Sequence, residues 1–296
     1  MSADPQSSDW QRLELVHQFT AASLRETLDG GQAFRWHWVP AAGAWRGIFG
    51  RHAVQVRLGA EGGLEFCAAS DTAAARAALG GYLGMAAELG PLLDRLPHRS
   101  DPVLAAALAA CPGLILLRQP LGETLLAFIC SSTKQIVQIK QICERLATAC
   151  GEEIAPEVHA LPDWGRLART SERELRECAL GFRARYVRET AEFLAARPGW
   201  LERVSTLPYA EAKTALLELP GVGAKVADCV LLFGAQQLEA FPVDVWILKT
   251  LARRYGLPGW KPGQLAQFGR AHFGALAGLA QQYLFAQERR TAGRAG

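Results

Sequence analysis

The sequence predicts an α+β chain in which an antiparallel β-sheet domain over residues 1–111 leads into an all-α domain over residues 112–296. Three observations carry this. Short runs of branched and aromatic residues separated by glycine turns fill the first third. Apolar residues at helical spacing, punctuated by prolines, fill the rest. A Pro-Gly break near residue 220 separates two helical runs by one tight turn.

The strand signals are Gln32 to Val39, Ala44 to Phe49, Ala53 to Leu58 and Leu64 to Cys67, read as a meander. Val54, Val56 and Leu58 alternate with Gln55 and Arg57, which gives one buried face. Asp71 then caps a helical stretch from Thr72 to about Leu89. Asp101-Pro102 reads as the N-cap and first residue of another helix. From Leu121 onward the pattern is almost wholly helical. Ile136, Ile139, Ile142 and Leu146 recur at helix spacing, and Pro156, Pro162, Pro198, Pro208, Pro220 and Pro258 separate the elements.

With 296 residues, 50% apolar and 21% charged, the composition suits one large or two modest globular domains and excludes disorder or a collagen-like fibre. Apolar runs such as Val103 to Ala110 fall far below the roughly 20 residues a bilayer span requires. The start, Met1-Ser-Ala-Asp-Pro5, is acidic and polar and lacks a secretory pattern. With no basic nuclear signal or transit segment, a bacterial cytoplasm is the expected setting, in association with the nucleoid; a eukaryotic source would place the chain in the nucleus. Seven scattered cysteines read as reduced thiols, and neither their count nor their spacing suggests a metal site. A net charge of +3 does not by itself point to nucleic acid. Arg173, Arg176, Arg183, Arg185 and Arg188 form a basic stretch, which a solvated helix face explains as well as phosphate binding does.

Glu211 to Glu218 is mostly helix formers, and Pro220-Gly221 breaks that run before a second one, Val226 to Phe233, begins. The turn is therefore about Leu219 to Gly223. Gly221 and Gly223 permit left-handed dihedrals and let a phosphate approach the backbone, while amides at the second helix's N-terminus point outward as anion donors. Such a turn grips a DNA phosphate without a positive side chain. Lys225 and Cys229 are four apart on one helix face, with Val226, Val230 and Phe233 on another at core-like spacing. The lysine is thus expected to face away from the packed side. A cation in the first turn meets the positive end of the macrodipole, typically at a cost of a few tenths of a kcal/mol to about 1 kcal/mol. The same placement favours the neutral amine that a nucleophile requires. Nineteen residues on, Asp244 follows Pro242-Val243 and precedes a helical run, an N-cap position.

Leu219-Pro-Gly-Val-Gly-Ala-Lys225 and the downstream Pro242-Val-Asp244 resemble the helix-hairpin-helix glycosylases of base excision repair, and most closely their 8-oxoguanine DNA glycosylase/lyases. Further blocks follow in order. Gly31-Gln-Ala-Phe-Arg-Trp36 resembles the family's N-terminal pocket motif and Phe128-Ile-Cys-Ser-Ser132 its interdomain helix. Gly181-Phe-Arg-Ala-Arg-Tyr-Val187 and Ala280-Gln-Gln-Tyr-Leu-Phe285 match others. The resemblance implies a helix-hairpin-helix glycosylase domain over 112–296, with its last helices packed back across a cleft and the substrate pocket between the domains. It implies a monomer acting on double-stranded DNA that contains 8-oxoguanine, with no membrane and no redox or nucleotide cofactor. A monovalent cation at the hairpin is the one ion it suggests. No cysteine follows Cys229, so the C-terminal four-cysteine iron–sulfur cluster of related branches is absent.

A glycosylase must flip its target nucleotide into a pocket and refill the hole. By the resemblance, Lys225 attacks C1′ of the flipped nucleotide and leaves a Schiff base, and Asp244 assists the lysine or stabilises charge on the sugar. The Gly31 carbonyl accepts from N7–H, a proton that 8-oxoguanine has and guanine lacks. Gln281 reads the Watson–Crick edge, and Phe285 and Cys229 sandwich the ring. Without the resemblance, Gly31 reads as a turn before a strand, Phe285 as core, Gln281 as surface and Cys229 as a small buried hydrophobe.

The expected DNA-binding set is Gly221, Gly223, Thr133, Lys134, Gln138, Phe182, Arg183 and Trp246. Phe182 takes the wedge position, often tyrosine in the family, and Arg183 behind it contacts the orphaned base. Three positions depart from the family's better-known members. Thr133-Lys134-Gln135 replaces three asparagines, Gln138 stands where an arginine helps to identify cytosine, and Trp246 stands where a phosphate-binding histidine is common. Losing one bidentate donor relaxes opposite-base discrimination by about 1–3 kcal/mol. Two other readings stay open at this point: a glycosylase for alkylated bases that uses no lysine nucleophile, and a non-catalytic protein that uses the hairpin only to hold phosphates.

Overall fold

The computed structural model describes residues 10–69 and 71–293; the acidic start at Met1 to Pro5 lies outside the described residues. Five strands form one antiparallel sheet: β1 (Gln11–Leu13), β2 (Trp36–Val39), β3 (Ala44–Phe49), β4 (His52–Leu58) and β5 (Leu64–Ala68), in the order β1-β5-β4-β3-β2. The expected meander is β2 to β5. β1 adds an edge strand that pairs with β5, from a run too short to show alternation. Val54 and Val56 point into the core while Leu58 is half-buried, and Phe49 stacks on Tyr82 at 4.3 Å.

Two expected elements are shorter than their sequence signals. The first strand begins at Trp36 rather than Gln32 because residues 32–35 serve another purpose. The Gln32 amide accepts from Leu117 N–H at 2.9 Å and donates to the Ile115 and Thr27 carbonyls. It thereby pairs the buried extended segment Leu114 to Leu117, which has no strand neighbour of its own. The helix from Thr72 ends at Tyr82, followed by a tight turn Gly84–Ala87 and a short helix Leu89–Asp94. Glycines at 80, 81 and 84 weaken a continuous helix there. Asp71 and Asp101 cap their helices as expected, accepting from Ala73 and Ala74 N–H and from Leu104 N–H.

Beyond residue 121 a two-stranded ribbon, Glu153–Ala155 with Val158–His159, interrupts an otherwise helical arrangement. The last helices return to the N-terminal half. Tyr283 donates to the Leu114 carbonyl at 2.7 Å, and Tyr255 and His272 both reach Asp101. Most of the basic stretch is spent locally: Arg173, Arg176, Arg185 and Arg188 each pair with a glutamate one turn away, which favours the solvated-face reading. All seven cysteines are buried, and none is joined in a disulfide. Among the described residues no helix is long and apolar enough to cross a membrane, and no cluster of three metal-ligating side chains occurs.

Glu123, in the first turn of helix Leu121–Cys130, accepts from Gly50 N–H at 2.8 Å beside a cavity of about 520 Å³. Burial pushes its carboxyl up from 4.5 to about 7, against the pull of Arg35 and of that hydrogen bond. A raised carboxyl stabilises the fold most below its unfolded value, and that stability is lost as pH climbs through the folded value. Glu123→Gln keeps the acceptor and removes the titration. Its thermal midpoint should therefore exceed wild type at pH 8 by several degrees, on the order of 2 kcal/mol, with the gap closing by pH 5. Parallel midpoints across that range would contradict the assignment.

Candidate active site

A cavity of about 690 Å³ opens between the sheet domain and the helices. Its walls gather Gly31 and Phe34 from the N-terminal half, Phe128 and the 131–137 turn, Lys225 and Cys229, Asp244 to Trp246, and Gln281, Gln282, Phe285 and Arg289 from the last helix. These segments are distant in sequence and meet at one place. The catalytic and base-binding residues expected from the sequence all line it.

The hairpin is Tyr209–Leu216, a turn, and Ala224–Phe233. Gly221 has φ +77°, and a Cβ there would lie 2.8 Å from the Tyr186 side chain, so both dihedral and packing demand glycine. Gly223 differs from expectation. Its φ is −92°, and it is the helix N-cap, open to solvent with no side-chain cap. Its value to an anion is the bare backbone it leaves at the helix N-terminus. Asp228 braces the two helices, accepting from Tyr209 at 2.7 Å and from Lys213 at 2.8 Å.

The second helix is buried from Val226 to Phe233, so the expected contrast between a packed face and a free one does not hold. Lys225 faces the cavity rather than bulk solvent, with its amine 5.0 Å from the centre of the Phe128 ring. Cys229 is 3% exposed, and burial pushes its thiol up to about 12 although Lys225 beside it pulls the other way. A neutral thiol is an apolar wall for a ring to lie against. Asp244 caps helix Val245–Arg254 through one carboxylate oxygen, accepting from Trp246 N–H at 3.0 Å and Ile247 N–H at 2.9 Å. Burial raises its carboxyl above the usual range, while those amides and Lys225 hold it down. Neither bond uses the second carboxylate oxygen, and Asp244 lines the cavity.

Gly31 has φ +93°, and a Cβ there would meet Ile136 Cδ1 at 2.9 Å and Phe285 Cζ at 3.6 Å. Any side chain would fill the space above Phe285. Gln281 is 4% exposed, not a surface residue, and its Oε1 is buried without a partner.

The residues expected to meet DNA behave less uniformly. Phe182 is 54% exposed after an irregular turn, Arg176–Leu180, that holds Ala179 at φ +66°. The turn displays the ring to solvent, as the expected wedge into a base stack requires. Arg183 departs from its expected role. It is 3% exposed, stacks on Phe182 at 4.3 Å, and donates to the carbonyls of Leu180 and Ser132 and to Thr133 Oγ1. It braces the Phe182 ring and the 132–133 turn. Thr133 is exposed with φ +58°, and Lys134 beside it lines the cavity mouth. Gln138 is exposed, but its side-chain oxygen accepts from Gln135 N–H at 3.0 Å at the helix start. Trp246 lines the cavity, and Lys249 lies 5.0 Å from its ring, a cation one turn away that sequence reasoning missed. Also missed were Glu26, Gln282 and Arg289. Of these only Arg289 had a signal, its four-residue spacing from Phe285.

A glycine-built hairpin, a lysine and an aspartate that open onto one cavity, and an exposed aromatic on an irregular turn are the parts a base-flipping DNA glycosylase requires. Residues 126–270 match the HhH-GPD superfamily of base excision DNA repair proteins, and residues 15–125 match the 8-oxoguanine DNA glycosylase N-terminal domain. The chain is 33% identical to N-glycosylase/DNA lyase OGG1 of Arabidopsis thaliana, over 94% of this chain and 80% of that one. It is 31% identical to the N-glycosylase/DNA lyase of Saccharomyces cerevisiae, over 78% and 68%. The 8-oxoguanine glycosylase/lyase of Clostridium acetobutylicum, solved with double-stranded DNA containing cytosine opposite 8-oxoG, superposes with a TM-score of 0.85. It is 29% identical, with 96% of this chain and 99% of that one covered. The chain belongs to the 8-oxoguanine DNA glycosylase family of the HhH-GPD superfamily. It is a DNA glycosylase with AP lyase activity that works in base excision repair.

Proposed function

We propose that this enzyme flips 8-oxoguanine out of duplex DNA and excises it through a Schiff base on Lys225. One observation carries the reading: Lys225 and Asp244 open onto the same cavity as Gly31, Cys229, Gln281 and Phe285. The neutral Lys225 amine attacks C1′, the C1′–N9 bond breaks, and the base departs with the bonding pair and takes up a proton. Asp244 stabilises the positive charge that develops on the sugar. Ring opening gives the Schiff base, and loss of a C2′ proton then expels the 3′ phosphate by β-elimination. Phe285 and Cys229 hold the ring, and the Gly31 carbonyl selects the N7 proton. A monovalent cation at the hairpin belongs to the same proposal. The Leu219 and Pro220 carbonyls accept from Val222 N–H and Thr190 and keep a second lone pair each. No step runs through that ion.

Opposite-base preference is relaxed in this proposal. Arg183 is committed to Ser132 and Thr133, and the Gln138 oxygen to the helix start, so neither offers a free bidentate fork to the orphaned base. Single-turnover excision from four duplexes, each with 8-oxoguanine opposite a different base, tests both halves. Release should occur with all four partners, and Gln138→Arg should raise the preference for cytosine by about 5- to 100-fold. No release from any duplex would refute the substrate; a steep cytosine preference in the wild type would refute the relaxation.

A further inference from the structure

Four charged side chains outside the reacting groups converge just behind Gly31. Arg289 donates to both Glu26 carboxylate oxygens at 3.0 Å, and its guanidinium also reaches the Asp29 carbonyl at 3.3 and 3.4 Å. Lys140 donates to the Asp29 carboxylate at 2.7 Å. Glu26 is 5% exposed, and the Lys140 and Arg289 side chains are mostly covered, so solvent screens these contacts far less than surface pairs.

The position of this cluster gives it meaning. Asp29 ends the helix Ala21–Asp29 and stands two residues before Gly31. Arg289 lies one turn beyond Phe285 on the last helix, its guanidinium 5.9 Å from the Phe285 ring. Lys140 lies one turn beyond Ile136, the residue that packs nearest to Gly31. The cluster thus ties together the three walls between which a flipped base would slide. Glycine-rich backbone such as Gly30-Gly31 has little stiffness of its own, so its position must be imposed from outside.

We infer that Arg289 and Lys140, acting through Asp29, are positioning residues that set the Gly31 carbonyl over Phe285 and so set the discrimination for an N7–H. This rests on the excision reading above. A hydrogen bond discriminates only where donor and acceptor meet at the right distance, and a misplacement of about 1 Å costs on the order of 100-fold.

The test compares duplexes that hold 8-oxoguanine with duplexes that hold 8-methoxyguanine, which keeps the 8-oxygen and lacks the N7 proton. Single-turnover base release is measured for wild type, Arg289→Gln and Lys140→Met, with thermal midpoints alongside. Wild type should favour 8-oxoguanine by at least about 100-fold, and each variant should cut that ratio by about 10-fold, chiefly through slower 8-oxoguanine release. A purely structural role lowers both rates in proportion and leaves the ratio alone, and that result in either folded variant overturns the inference. Lys140→Met alters a different wall and decides the matter if Arg289→Gln does not fold. Failure of wild type to release 8-oxoguanine would instead overturn the excision reading.

Discussion

Lys225→Gln is expected to abolish base release and borohydride trapping together, a loss of at least about 1,000-fold or roughly 4 kcal/mol of barrier. Glutamine retains similar length and polarity and fits the first turn of the hairpin's second helix without a cation at the positive end of the dipole. The variant should therefore fold at least as well as wild type and still bind duplex DNA, because the backbone amides that the helix start at Gly223 offers to an anion are unchanged. The combination separates nucleophile from structural support: chemistry disappears while the thermal midpoint and DNA affinity hold. Base release at near wild-type rate would remove Lys225 from the mechanism.

The second large effect is expected at Asp244. Asparagine caps helices as well as aspartate, so Asp244→Asn keeps the two bonds to Trp246 and Ile247 N–H. It loses the negative charge on the cavity wall, which should slow base release by about 100- to 1,000-fold. Stability should move the other way. Burial raises this carboxyl in the fold, so its contribution is favourable below the unfolded value of 3.8 and is lost as pH rises through the folded one. At neutral pH the ionised group destabilises, and the neutral variant should melt no lower than wild type. Gained or unchanged stability with lost activity marks a residue retained for chemistry. Near wild-type excision by Asp244→Asn would leave the residue as a cap alone.

The parts of this molecule legible in the sequence are those written in local patterns. Asp71, Asp101 and Asp244 announce helix starts, and each does cap its helix. Pro220-Gly221 placed the hairpin turn, and alternation placed the central strands. What the sequence hides depends on partners far away in the chain. Residues 32–35 look like strand until Gln32 is seen pairing with Leu117, and Arg289 looks like a surface arginine until it meets Glu26, 263 residues earlier. Arg183 sits among arginines that pair with neighbouring glutamates, and nothing local tells that it alone turns inward to Ser132 and Thr133. Gly223 shows the opposite limit. Its residue type suggested a left-handed turn, whereas the backbone is extended there and what matters is the missing side chain.

The Schiff-base mechanism stands or falls on which residue becomes joined to DNA. Wild-type protein is incubated with a duplex holding 8-oxoguanine in the presence of borohydride, and the cross-linked peptide is mapped by mass spectrometry. One adduct is expected, on Lys225. An adduct on another amine such as Lys249 or Lys134, or full release of 8-oxoguanine with no adduct at all, would contradict it.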